Sequence, residues 1–285
     1  MNIFMINRNT KSSINKNGRQ LLKFLFSGGL LFKLYVVLLS IYLLAPIIIV
    51  VLISFSNESY AVFPPKSYSL RWYIKFFNST EFVSAFKMSL ILAITVVIIT
   101  LLVGILVSYA LVRINFPGKN IVHSFLLLPI MFPAIILSLS LLIYFTRINI
   151  VGTFIGLVFA HTLVATPFVI KSLVGCLSTI QWSTNEAAQN LGANRLQSFF
   201  YIILPQIKFG IIAAVIFAFI TSFDEVVISL FIVGGHTGTL PVYIYNYLEY
   251  TSDPTIAAIA TMVIVVIGTI MLLIPKNYLT SIGSK

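Results

Sequence analysis

"EAAQNLGANRLQSFFYIILP", residues 186 to 205, interrupts a chain that is otherwise 59% hydrophobic and only 9% charged. The segment is partly polar and lies between two apolar runs. Ser183 stands three residues before Glu186, the spacing of a capping box, so a helix is expected to start there. Ala187, Ala188 and Leu191 share one face of that helix, and Gly192 stands where a left-handed residue would end it. Asn194 with Gln197 then opens a second short helix, whose apolar side holds Phe199, Phe200, Ile203 and Leu204. Pro205 closes the unit. The expectation is a helix–Gly–helix elbow, small and apolar on one side. Such an elbow is either an interfacial loop packed on its own bundle or a knob shaped for a partner.

The flanking sequence fixes the class. Charge-free runs cover residues 34–57, 88–112, 120–146 and 148–170, and each exceeds the roughly 20 residues that cross about 30 Å of hydrocarbon. A fifth run starts at Phe209, and a sixth covers 256–274, entered through Asp253-Pro254. The mean hydropathy of +1.04 excludes an ordinary soluble domain. The first run is too long for a signal-peptide core and follows 33 residues, so it is read as a retained span. The single Cys176 excludes an internal disulfide framework. The fold expected is all-α integral membrane with six spans, over 34–57, 88–112, 120–146, 148–170, 209–233 and 256–274. A basic tail (1–33) precedes this 34–275 domain, a loop (171–208) carries the elbow, and a short tail (276–285) ends the chain.

The net charge of +11 is a topology signal rather than a nucleic-acid footprint. Of the 18 Lys and Arg, 13 fall on the side of the N-terminal tail, among them Arg113, Lys119, Lys171, Arg195 and Lys208. Only 5 fall on the other side: Lys66, Arg71, Lys75, Lys87 and Arg147. The Lys/Arg excess places both termini in the cytoplasm, against anionic lipid head groups. On the outer side, "FPPKSYSLRWYIKFF" repeats Leu70, Tyr73, Ile74 and Phe77 at helical spacing. That spacing is expected to form a short amphipathic helix, lying on the outer surface or, as the plainer reading, capping its own spans.

At Glu186-Ala187-Ala188, three residues, Gly192, nine residues, then Ile202-x-Leu204-Pro205, the chain resembles the EAA signature of binding-protein-dependent ABC importer permeases. "FPPKSYSLRWYIKFF", "SFDEVVISLFIVGGHTGTLPVYIYNYLEY" and "DPTIAAIATMV" are similar to the polyamine (spermidine/putrescine) branch of that family, and the likeness runs from Leu34 to Ile274. The resemblance implies a MetI-like permease fold whose cytoplasmic elbow couples to a separate ATPase. Carried over, Glu186 faces that ATPase, Ala187 and Ala188 allow close approach, Gly192 makes the turn, and Leu204-Pro205 anchors the elbow to the fifth span. It also implies a pair of ATPase subunits, a second permease and an extracytoplasmic binding protein as partners. The sequence holds no Gly-x4-Gly-Lys-Ser/Thr, so ATP and Mg are expected on the partner ATPase and no cofactor on this chain.

Phe209 to Phe223 is only 15 residues, about 22 Å of helix. The fifth span is therefore expected to continue as helix through Asp224 and Glu225 and to break at Gly234-Gly235. Carboxylates at that depth face a water-filled cavity, a solute path or a cationic partner group. His123, His161 and His236 lack metal-ligand spacing and read as helix-contact or solvated residues. Pro129, Pro133 and Pro167 suggest kinks bordering a cavity. A secondary transporter would carry inverted repeats, and a membrane enzyme would carry clustered His or carboxylates; the sequence offers neither. An importer of another small solute remains the alternative to polyamines. Ser183→Cys and Ser252→Cys are expected to label from opposite faces of intact cells. Labelling of both from outside would remove this topology.

Overall fold

The computed structural model describes residues 29–234 and 238–273, and among them every regular element is helical. In chain order these are α1 (Leu30–Ser54), α2 (Arg71–Asn78), α3 (Thr80–Arg113), α4 (Lys119–Met131), α5 (Ala134–Arg147) and α6 (Phe154–Leu177). There follow α7 (Trp182–Asn190), α8 (Arg195–Ser198), a π-helical turn (Phe199–Ile203) and α9 (Leu204–Gln206). The last four are α10 (Lys208–Phe223), α11 (Val227–Ile232), α12 (Leu240–Tyr250) and α13 (Thr255–Leu273). The helices fall into two compact units: the chain up to Trp72 with Pro254–Val265, and Tyr73–Asp253 with the chain from Val266. The basic tail up to residue 28, Gly235, His236 and the tail 276–285 lie outside the described residues.

In the first unit α1 exposes almost its whole apolar surface, as at Tyr42, which is 75% exposed. Such a surface is stable in lipid or against another apolar chain. The segment after it folds back on itself. Ser69 N–H donates to the Phe55 carbonyl at 2.7 Å, and the buried Trp72 indole N–H donates to the Ser56 carbonyl at 2.7 Å. The outer amphipathic helix forms as α2, but with a different stripe inside. Trp72 and Phe76 are buried while Leu70, Ile74 and Phe77 stay exposed. Within the second unit, Phe76 packs tilted on Phe82 and edge-on to Phe86, a larger apolar contact than Ile74 could offer.

The core of the second unit is the packing of α3, α6 and α10, through Leu92, Val96, Leu157, Ala160, Val169, Leu173, Ala214 and Ala218. Lipid tails are as apolar as these side chains, so close van der Waals fit rather than water exclusion holds the helices together. Glycine supplies the fit at two places. A β-carbon at Gly104 of α3 would lie 2.6 Å from Val169 Cγ1 of α6, and one at Gly210 of α10 would lie 2.6 Å from Cys176 Cβ.

The element bounds depart from the charge-free runs for local reasons. The second run starts eight residues early, at Thr80, because Ser79 Oγ caps it by accepting from Phe82 N–H and because helix tolerates Glu81 and Lys87. The third run is two helices, bent by 102° at Phe132-Pro133; Pro133 has no N–H to continue α4, and it holds Phe132 extended. The fourth runs from Phe154 to Leu177, past Lys171, with Thr153 Oγ1 accepting from Gly156 N–H at its start. Against the six crossings expected from the sequence, three helices among the described residues are long and apolar enough alone, and up to five if each bent pair is one span. Helix α13 holds the sixth position with the apolar stretch Thr255–Val266.

Gly210→Val is expected to lower the melting temperature in detergent by about 3–10 °C, since overpacking a tight helix contact costs about 1–3 kcal/mol. Gly175→Val, where a β-carbon meets nothing within 4 Å, is the control. Equal melting of the two variants would mean that the α6–α10 approach is not tight.

Candidate functional site

The elbow forms, with its start moved. Helix α7 begins at Trp182 behind Gln181, and no side chain caps it, so the Ser183–Glu186 capping box is not made. Glu186 is instead drawn elsewhere. Its Oε1 accepts from Arg113 Nη2 at 2.7 Å, at the last residue of α3. The C-terminal reading holds in detail. Gly192 has φ +100°, its N–H donates to the Gln189 carbonyl at 3.0 Å, and Ala193 N–H donates to the Ala188 carbonyl at 3.0 Å. This pair of bonds is a Schellman turn, which satisfies carbonyls that the helix end would otherwise leave open.

The second half is capped as its sequence suggests. Asn194 and Gln197 exchange side-chain-to-backbone hydrogen bonds of 2.8 and 3.0 Å, a complete capping box. A buried bond then locks the two halves together: Ser198 Oγ donates to Asn185 Oδ1, both residues being buried. Pro205 does not end the unit. The chain continues through α9 to Gln206, and the helical path bends by 71° between α9 and α10.

One face of the elbow is packed and the other is free. Ile203 and Ile207 are buried with Leu177, and Tyr109, Trp182, Phe199 and Leu204 pack around them. Leu191 is 90% exposed, Tyr201 80%, and Leu196 70%. Glu186 and Ala187 are exposed beside them and Ala188 is half-buried. Thus the small-residue face expected from sequence points away from the protein, and a different set of aromatic and branched residues holds the elbow down.

The second candidate region is the run through Asp224 and Glu225. Contrary to the expectation of a continuous helix, it is not helical there. Helix α10 stops at Phe223, Asp224 N–H makes the last bond to the Ile220 carbonyl, and α11 starts at Val227. The path breaks at the carboxylates themselves, well before Gly234. Glu225 Oε1 accepts from Ile228 N–H at 3.0 Å, so this side chain serves the open N-terminus of α11. Asp224 is exposed and Glu225 half-buried, and among the described residues neither has an ion-pair partner within 4 Å.

His161 of α6, fully buried, spans the break. Its Nδ1 lies 3.1 Å from both the carbonyl oxygen and Oγ of Ser222, and its Nε2 lies 3.0 Å from Ser229 Oγ. One imidazole therefore bonds the end of α10 and the start of α11 together. His161 is a helix-contact residue, and among the described residues no group of three His, Cys, Asp or Glu could hold a metal.

Asp253, by contrast, has a cationic partner. Lys75 Nζ lies 2.6 Å from its Oδ2, and Tyr247 donates its hydroxyl to the same atom at 2.8 Å. Partial burial disfavours the Lys75 ammonium, yet its bonds to Asp253 and Tyr247 hold its pKa above the ordinary value. Sequence reading missed this pair because Lys75 and Asp253 are far apart in the chain. It missed Asn185 and Arg113 for the same reason.

Residues 100–278 match the family described as binding-protein-dependent transport system inner membrane component. The chain is 31% identical over 241 residues to the spermidine/putrescine transport system permease protein PotC of Escherichia coli (strain K12), covering 85% of this chain and 89% of that protein. It is 30% identical over 236 residues to the putrescine transport system permease protein PotI of the same strain, covering 80% and 84%. In fold it is similar to a bacterial ABC transporter involved in the import of the acidic polysaccharide alginate. That likeness has a TM-score of 0.67 at 16% identity and covers 90% of this chain and 96% of the other.

A β-carbon at Gly192 meets nothing within 4 Å, so Gly192→Val chiefly reports the backbone strain of a left-handed turn, about 1–3 kcal/mol. Tryptic cleavage at Arg195 in the folded protein is expected to quicken about fivefold or more. Cleavage at the wild-type rate would leave the turn without a role in holding the elbow.

Proposed function

We propose, for a chain that belongs to the binding-protein-dependent transport system inner membrane components and is the permease subunit of an ABC importer, that the solute it passes is a polyamine. The observation that carries this reading is the break at Asp224-Glu225: two adjacent carboxylates without an ion-pair partner among the described residues, between α10 and α11. A carboxylate in a low-dielectric cavity attracts an ammonium strongly and repels an anion. The similarity to PotC and PotI, whose names state spermidine and putrescine transport, points the same way. Asp253 adds little to that attraction, because it is matched by Lys75.

The elbow is the docking segment for an ATPase in this reading. Its free face presents Ala187 and Ala188 together with Leu191, Leu196 and the Gly192 turn, beside a Glu186 engaged by Arg113, and a leucine 90% exposed next to that turn suits an apolar groove on a soluble subunit. Leu204 and Pro205 lie where the elbow joins α10, so displacement of the elbow reaches the helix that ends at Asp224. ATP and Mg are then bound by a pair of ATPase subunits. A second permease completes the path and an extracytoplasmic binding protein delivers the solute. The 13 to 5 division of Lys and Arg supports a cytoplasmic side for both termini and the elbow.

Asp224→Asn and Glu225→Gln remove charge and keep shape, and the amide oxygen introduced by Glu225→Gln would still accept the Ile228 N–H bond. Uptake of labelled spermidine or putrescine by the assembled transporter is expected to fall about tenfold for the carboxylate that faces the path, the effect of about 1.4 kcal/mol. Assembly with the ATPase is expected to stay intact. Unchanged uptake in both variants, or no polyamine uptake by the wild-type complex, would remove the substrate and leave the importer.

A further inference from the structure

Arg113 ends the long helix α3, and its positive charge alone would assign it to membrane topology. Its surroundings give it a second task. The guanidinium donates to Glu186 Oε1 at 2.7 Å and lies 5.1 Å from the centre of the Trp182 ring. Trp182 stands edge-on to Tyr109, one turn back on α3, with ring centres 6.0 Å apart. Tyr109 in turn stands edge-on to Phe199 at 5.9 Å. The end of α3 is thus clasped to both halves of the elbow, to α7 through Glu186 and Trp182 and to the π-helical turn through Phe199. The end of α6 meets the elbow through the apolar Leu177 instead.

We propose that Arg113 is a positioning residue for energy coupling: its ion pair with Glu186, seated on Trp182, fixes the elbow to the end of α3. Movement of the elbow then enters the α3–α6–α10 core through α3 as well as along the chain into α10. Glu186 is held by its own protein in this arrangement, and the ATPase meets the neighbouring Ala187, Ala188, Leu191 and Leu196. The inference rests on the reading of the elbow as the docking segment. An exposed ion pair contributes little to folding, so its removal leaves the protein assembled. A contact on the route between two sites still alters how strongly they are linked.

The test uses the complete transporter in proteoliposomes with its ATPase and binding protein, and measures solute moved per ATP hydrolysed. Arg113→Gln and Arg113→Glu are expected to lower that ratio about threefold or more, with the KM for solute unchanged. The double variant Arg113→Glu/Glu186→Arg is expected to return it to near the wild-type value. Cross-linking of Leu191→Cys to the ATPase, in wild type and in each variant, is the second readout. A cross-link kept in Arg113→Gln while the ratio falls supports positioning. An unchanged ratio, a charge swap no better than the single variants, or a cross-link lost in Arg113→Gln overturns it. A wild-type complex that never cross-links at Leu191→Cys overturns the docking reading itself, and this inference with it.

Discussion

Hydrocarbon offers a peptide group no hydrogen-bond partner, and that constraint decides where this chain is helical and where it is permitted not to be. At several places where the helical ladder stops, a side chain takes over. Glu225 accepts the Ile228 N–H at the start of α11, Ser89 Oγ accepts the Leu240 N–H at the start of α12, and Thr153 Oγ1 accepts the Gly156 N–H at the start of α6. Between α10 and α11 the imidazole of His161 adds bonds to Ser222 and Ser229. A few polar residues of this apolar chain thus serve the places where helices are interrupted.

The charged side chains follow a second logic, in which each pair joins elements remote in sequence. Lys75 meets Asp253 and Arg113 meets Glu186. Neither pair is sealed from solvent: Lys75 and Arg113 retain side-chain exposures of 46% and 39%. Their contribution is to geometry more than to stability. Each fixes which residues of a short surface helix face the protein and which remain available. At the elbow this leaves the alanines and Leu191 free while Glu186 is engaged.

Membrane character, helical class and the elbow's turn were legible in the sequence because each rests on a local rule. Apolar runs need only be counted, and Gly192 and the Asn194–Gln197 box act within one turn of helix. The helix break at Asp224 was not legible. The apolar run after Lys208 fell short of a bilayer, and continuing the helix was the simplest remedy; the actual remedy uses His161, which lies 61 residues from Ser222. The start of α3 and the end of α6 were misplaced because charge-free runs stop at Lys87 and Lys171, charges that, like Glu81, an exposed helical surface carries without difficulty. On α2 the spacing of aliphatic residues drew attention to Ile74 and Phe77, whereas the Trp72 and Phe76 rings had partners waiting. Pairings such as Arg113–Glu186 have no local signature at all.

Helix α6 has a mechanical consequence. The residues that receive Gly104 and Gly210, Val169 and Cys176, are seven apart and so lie on one ridge of α6, about 10 Å from each other along its axis. Two neighbouring helices are therefore notched against the same ridge at different heights. Twisting α6 about its own axis would drive the ridge out of both notches at once and against the flanking side chains. Tilting about either notch disturbs only the other. By this geometry α6 is held more firmly against torsion than against rocking.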